Sequence, residues 1–275
     1  MGIKATKKLS LIGKVLVGFL YIAPVIIGVI FSFHPTSHFA KGTLTLFTDE
    51  VTLDNYIYVF KNIPTFTYFK NTLIMVLICV PCQILLNTIA AYAFSFFEFP
   101  LKNLIFTVFL TSMMIPGEVT IISNYITVQQ MGLVNTYLGI AVTSLTGVGG
   151  IFMLRQSMMS LPKELWEAAK MDGCGKLGYL FKCVFPLSKS TISALAINSF
   201  ISIYGAYLWP LMVVRSNEMQ TIQMGMVSLM SGMEMGNRYG IVLAGAIVSM
   251  IIPISAFIFG QDYIVEGMTA GAVKS

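Results

Sequence analysis

The chain has 275 residues, 56% of them hydrophobic and only 11% charged, and a soluble domain of this length carries about a quarter charged residues. The formal net charge of +5 is not gathered into one long basic patch, so the composition excludes nucleic acid as a partner and points to a lipid bilayer. The four cysteines do not make a disulfide framework.

About 20 consecutive apolar residues cross a bilayer as a helix, and six such stretches are expected. The first covers 11–33. Lysines precede it, but the run is long and no small-residue cleavage site follows, so it reads as a retained span rather than a signal peptide. The loop from His34 to Thr67 comes next, with a short helix expected from Thr52 to Phe60. His34 and His38 flank Pro35, which argues against a helical metal-binding pair and for a solvated turn. The second span covers 69–94, with Pro81 as a kink. Cys79 and Cys82 lie inside it; with no second pair and no nearby histidine they read as small apolar packing. The third covers 104–125 and is interrupted at Pro116-Gly117. The fourth covers 137–156 and is rich in glycine, the fifth covers 191–214 and the sixth 239–259. Gly240, Ala244, Gly245 and Ser249 give the sixth a small-residue face suited to helix packing. The expected architecture is an all-α integral membrane protein, one domain over 1–275 with six transmembrane helices.

Lysine and arginine orient the spans. With the amino terminus inside, twelve of the 17 cations fall on the cytoplasmic side: Lys4, Lys7, Lys8, Lys14, Lys102, Arg155, Lys163, Lys170, Lys176, Lys182, Lys189 and Lys274. Lys41, Lys61, Lys70, Arg215 and Arg238 fall outside. Both termini and the loop 161–186 are then cytoplasmic.

That loop, LPKELWEAAKMDGCGKLGYLFKCVFP, is a long polar interruption. Pro162 suits a first helical turn, and Glu164 and Glu167 suit the positive helix end. Gly173 can take the left-handed conformation that stops the helix. A second short segment runs from Lys176 to Phe185, up to Pro186. Ala168 and Ala169 leave helix backbone open to close approach by a partner's groove, and Glu167 offers that partner a charge. The stretch EAAKMDG, followed after nine residues by Cys183-Val184-Phe185-Pro186, resembles the EAA loop of bacterial ABC importer permeases. Glu167, Ala168, Ala169, Gly173 and Pro186 match the pattern. Cys183 and Phe185 replace its isoleucine and leucine with other apolar side chains.

The resemblance extends over nearly the whole chain. NTLIMVLICVPCQILLNTIAAYAFSFFEFP, MMIPGEVTIIS, MGLVNTYLGI, FMLRQSMMSLPKELWEAAKMDG, YLWPLMVV and the tail EGMTAGAVKS look like the maltose-type branch of carbohydrate importer permeases. It implies a type I importer permease in a bacterial cytoplasmic membrane, with the loop helix acting as a coupling helix. It also implies a second permease, two ATPase subunits and an extracellular solute-binding protein. ATPase-coupling residues would be Glu167, Ala168, Ala169, Asp172, Gly173 and Pro186, and the tail from Glu266 would reach toward the ATPase. FPLSK and the glutamate after MMIP are also shared with glycerol-3-phosphate permeases of the branch, so a sugar and a polyol phosphate both stay open as cargo.

The residues themselves offer little to catalysis. There is no Gly-x-Ser-x-Gly or His-Glu-x-x-His. Gly175-Lys176 is not a phosphate loop, because Lys170 and Leu177 stand where Gly and Ser or Thr are needed. No cofactor is expected in the chain; ATP and magnesium belong to a partner ATPase. Glu118, an acid within a span, is expensive at membrane depth and usually faces a cavity or a partner. It stands equally as a pathway residue or as company for the helix broken at Pro116, and proton coupling through it is the competing secondary-transporter reading. Asn124, Asn198, Tyr204 and Trp209, with Asn71, Asn87 and Tyr207, are further pathway candidates, since aromatic faces stack on sugars and amides bond to hydroxyls. Tyr and Trp also gather at membrane interfaces without binding anything.

Overall fold

A computed structural model of the chain describes residues 2–40, 45–46, 50–231 and 238–269. Among these residues all regular structure is helical. Three helical stretches are long and apolar enough to cross a membrane: Gly13–Ser32 within α1 (Gly2–Ser32), α4 (Thr65–Phe96) and Tyr239–Gln261 within α15 (Tyr239–Thr269). Three bent pairs raise the count to six if each makes one span. The first pair is α5 (Lys102–Ser112) with α6 (Gly117–Gln130), bent by 101° at the Pro116-Gly117 break. The second is α7 (Tyr137–Ala141), extended to Ser144, with α8 (Val148–Met159), bent by 47°. The third is the stretch Lys176–Leu187 with Lys189–Tyr204, bent by 76°.

Three of these elements depart from the expected spans. The third was expected as one interrupted stretch over 104–125; the structure folds it back sharply, because Pro116 sits extended at φ −58°, ψ 134° between the two halves. The fourth, expected over 137–156 with no break, splits between Ser144 and Val148 at a 47° bend. The fifth was expected over 191–214, but its helix ends at Tyr204 with Gly205 as cap, and residues 208–213 form a separate short helix. By contrast, α4 and α15 run through Pro81 and Pro253 without interruption.

The chain forms two compact units. The first comprises Met1–Phe66 and Gly225–Ile252. In it α2 (Thr36–Ala40) and α3 (Asp54–Asn62) fill the loop after α1. The Asn55 amide, 2% exposed, donates to the carbonyls of Ser32 and His34, both at 2.8 Å. The small-residue face of α15 is buried as expected, and a Cβ at Gly240 would collide with the Asn55 amide and the His34 carbonyl. The solvated turn expected at His34 is corrected: His34 is 3% exposed, its ring 5.1 Å from that of Phe31 and 4.7 Å from that of His38. Aromatic neighbours at 31 and 39 draw it inward.

The second unit comprises Thr67–Met224 and Pro253–Ser275. Its core gathers Ala91, Tyr92, Phe94, Phe106, Ile151, Leu154, Met158, Tyr179, Leu180, Val184, Ile192 and Leu195. A polar stripe on α4 faces the broken α7–α8 segment. The Cys79 thiol approaches Ala141 O at 3.9 Å, Gln83 Nε2 donates to Ser144 O at 2.6 Å, and Asn87 Oδ1 accepts from Thr146 Oγ1 at 2.8 Å and from the Gly147 N–H at 3.2 Å. These residues are four apart, hence on one helix face. They supply the polar company that a helix break at membrane depth requires.

Candidate functional site

The loop 161–186 folds as α9 (Glu164–Met171), then α10 (Lys176–Tyr179) running into a wide π turn over Leu180–Val184 and a last turn, α11 (Phe185–Leu187). Glu164 and Glu167 sit in the first turn of α9 and Lys170 in its last, each favoured there by the helix dipole. The stop at Gly173 is as expected: its φ is +72°. The Cys174 N–H donates to Ala169 O at 2.9 Å and the Gly173 N–H to Lys170 O at 3.1 Å, the bond pair of a Schellman stop. The π turn lies directly before Pro186, with the Phe185 N–H reaching back to Leu180 O. Proline has no N–H and its ring needs room against the preceding carbonyls, and the widened turn provides it.

The loop is anchored rather than loose. Trp166 lies 4.9 Å from the Tyr179 ring, and Tyr179 meets Phe96 edge-on at 5.5 Å. The Tyr92 hydroxyl donates to Lys176 O at 2.8 Å, and the Lys176 ammonium sits 4.4 Å above the Phe97 ring. The expectation that both alanines lie open is corrected. Ala169 is 8% exposed and packs with Trp166, Cys174 and Tyr179, while Ala168 is exposed. Helical geometry forces the division, since adjacent residues point about 100° apart. The exposed side of the loop carries Glu167, Ala168, Met171 (89% exposed), Leu177 and Phe181, with Asp172 and Pro186 also exposed.

The pathway candidates divide. Glu118 stands in the first turn of α6, exposed, beside the bare side chains of Met113, Met114 and Ile115. Asn198 is exposed and Asn124 is half-buried, within 3.5 Å of Thr120 Oγ1. Tyr204 is corrected to a core residue: it is 2% exposed and stacks on Phe200 at 5.7 Å. Trp209 is a tie within the unit, donating from Nε1 to Ile140 O at 2.9 Å and joining α7 to α13 (Leu208–Val213). No described hydrogen bond or ring contact joins Glu118, Asn124, Asn198 and Trp209 to one another.

Asn71 is also structural. Buried at 2% exposure, it donates to Glu218 O and Gln220 O at 2.7 and 2.8 Å and accepts from Tyr137 Oη at 2.6 Å. Gln83, Ser199 and Asn135 were not singled out from the sequence. Ser199 donates to Gln83 Oε1 at 2.6 Å, and Asn135 Oδ1 accepts from the backbone of Arg215 and Ser216. The one available signal was an amide inside an apolar run, at Gln83. The side chains of the tail from Glu266, expected to reach toward the ATPase, lie outside the described residues.

Comparison with known proteins follows the same lines. The profile described as "Binding-protein-dependent transport system inner membrane component" matches residues 47–268. The chain is 33% identical over 266 residues to the "Arabinooligosaccharides transport system permease protein AraQ" of Halalkalibacterium halodurans, covering 96% of this chain and 95% of that one. It is 30% identical over 198 residues to the "sn-glycerol-3-phosphate transport system permease protein UgpE" of Pectobacterium atrosepticum, covering 72% and 70%. Its fold matches a chain from the crystal structure of a bacterial ABC transporter involved in the import of the acidic polysaccharide alginate. That match has a TM-score of 0.82 at 19% identity, over 96% of this chain and 99% of that one.

Proposed function

The chain belongs to the family of binding-protein-dependent transport system inner membrane components, and from that premise we propose that it is one permease of an ATP-driven importer of sugars or oligosaccharides. Its part is mechanical. The observation that carries this is the Schellman-stopped helix α9, fixed to the end of α4 by Trp166, Tyr179 and Tyr92 while Glu167, Ala168 and Met171 stay exposed. A short helix anchored by aromatic packing passes rigid-body motion to the spans it adjoins.

The partners in this proposal are a second permease, two ATPase subunits that bind ATP and magnesium, and an extracellular solute-binding protein. Both termini and the loop 161–186 lie in the cytoplasm, a reading supported by the lysine and arginine bias. The bent pairs α5–α6 and α7–α8 each serve as one span and the helix Lys189–Tyr204 as another, giving six with α1, α4 and α15. The bare apolar residues of α1 and of Met113 to Ile115 face lipid or the second permease. Sugar cargo is favoured because the arabinooligosaccharide permease matches nearly end to end. Glycerol 3-phosphate is the second reading, supported by the likeness to UgpE over 72% of the chain. Glu118 and Asn198, exposed in the lone subunit, and the half-buried Asn124 are the remaining pathway candidates.

Reconstitution into proteoliposomes tests the proposal. Uptake is expected only with ATP, the second permease, the ATPase and the binding protein together. Accumulation by this chain alone under a pH gradient would overturn it in favour of secondary transport.

A further inference from the structure

A cleft of about 710 Å³ opens beside the junction of α4 and α5, lined by Phe94, Glu98, Leu104, Lys102, Arg155 and Lys163 among others. Three of these side chains are cations and one is an acid. Lys102 is largely buried, its side chain 13% exposed, and its ammonium donates to Phe97 O at 2.7 Å. Glu98 lies 3.3 Å from it but is 91% exposed, so this ion pair is a weak rim contact. Arg155 stacks over Phe106 at 4.1 Å and donates from Nε to Phe94 O at 3.4 Å. These contacts hold the guanidinium at its Nε edge and leave its terminal nitrogens without a hydrogen-bond partner among the described residues. Lys163 is exposed and has no ion pair among the described residues. The start of α5 adds to the positive field, because it has no side-chain cap and no acid in its first turn. It is set there by Leu101, held at φ 60°, a conformation that leucine rarely adopts.

The apolar side of the cleft continues up α5. Leu101, Leu104 and Val108 are 67%, 57% and 58% exposed, and Leu104 and Val108 share one helix face. Cations at the base of a bare apolar helix match an amphiphile with an anionic head, not a soluble anion. Basic pockets between membrane helices on the cytoplasmic side bind such headgroups. We propose that this cleft holds the phosphate headgroup of an anionic phospholipid of the cytoplasmic leaflet, with Lys102, Arg155 and Lys163 around the phosphate and an acyl chain along Leu104 and Val108. The leaflet assignment rests on the orientation in the proposed function; the lipid chemistry does not.

The test is native mass spectrometry of the assembled importer, released from nanodiscs of equal phosphatidylglycerol and phosphatidylcholine. The intact complex should keep phosphatidylglycerol in preference. Lys163→Gln, which alters an exposed side chain and so spares packing, should cut that retention about fivefold, and Lys163→Arg should restore it. Excess inorganic phosphate should leave the lipid in place. Equal retention of the two lipids, or undiminished retention by Lys163→Gln, overturns the proposal, as does displacement by inorganic phosphate, which marks a soluble-anion site. None of these readings needs transport, so their failure leaves the importer role standing. Labelling of Lys163 by a membrane-impermeant reagent from outside the cell would overturn the leaflet assignment and the orientation together.

Discussion

The hydroxyl of Tyr92, near the end of α4, donates a 2.8 Å hydrogen bond to the backbone carbonyl of Lys176, at the start of α10. One phenol thus ties a long apolar helix to the second arm of the loop that carries α9. The tie is part-buried, with Tyr92 3% exposed, and without the hydroxyl the Lys176 carbonyl keeps only the Leu180 N–H. Tyr92→Phe should cost about 1 kcal/mol at this joint and loosen the loop without dismantling the subunit. The expected outcome is normal assembly with a lower ratio of solute imported to ATP hydrolysed in proteoliposomes. An unchanged ratio would remove Tyr92 from the coupling path.

Gly173 has the left-handed backbone at φ +72°, and a Cβ built there meets nothing within 4 Å. The cost of a side chain is therefore conformational alone. Gly173→Ala should strain the stop by about 1 kcal/mol and lower coupling. Gly173→Asn, which tolerates this conformation better, should keep more of it. Equal coupling in both variants would argue that the angle between α9 and α10 does not matter.

Ala168 and Ala169 should separate in cross-linking. With Ala168 exposed and Ala169 8% exposed, a cysteine at 168 should form an adduct with the ATPase in the assembled complex, and a cysteine at 169 should form little. Stronger adducts at 169 would mean that α9 is rotated in the complex.

Asn87 is 1% exposed and accepts from both Thr146 and Gly147. Asn87→Leu removes both of these part-buried hydrogen bonds, at about 1 kcal/mol each. A Cβ at Gly150 would press on the same amide, so Gly150→Ala should also destabilise. Thermal unfolding in detergent reads both, and a midpoint unmoved by Asn87→Leu would show that the break is held by other means.

His34 yields a pH dependence. Burial first, and the neighbouring His38 second, lower its pKa from the ordinary histidine value of 6.5. The unfolded chain therefore takes up a proton before the folded one does. Stability is fully present above about pH 6.5 and falls as the pH drops toward the lowered folded value. The unfolding midpoint should decline over that window, and His34→Gln should flatten the decline. A midpoint that rises on acidification would reverse the sign and exclude a neutral buried His34.

The loop 161–186 was readable in advance because its signals are local: carboxylates at a helix start, a glycine at its stop, a proline beyond. The short helix after Thr52 was readable for the same reason. The inward side of the spans was not. In a membrane helix, lipid-facing and core-facing residues are both apolar, so periodicity does not say which way Tyr204 points. The roles of Asn71 and Gln83 were hidden for another reason. Their partners lie at Tyr137, Glu218 and Gln220 for Asn71 and at Ser144 and Ser199 for Gln83, all more than sixty residues away, and no spacing rule reaches that far. The 101° fold at Pro116 was legible as a break but not as an angle, which packing decides.

Cys79, Gln83 and Asn87 engage the α7–α8 segment at steps of four residues, about 6 Å, through Ala141, Ser144 and Thr146. A partial slide along α4 would strip every rung at once and turn two amides toward hydrocarbon. The segment is thus geared to its neighbour. It rides with α4 as a single body or skips a whole tooth, and the positions in between offer no resting place.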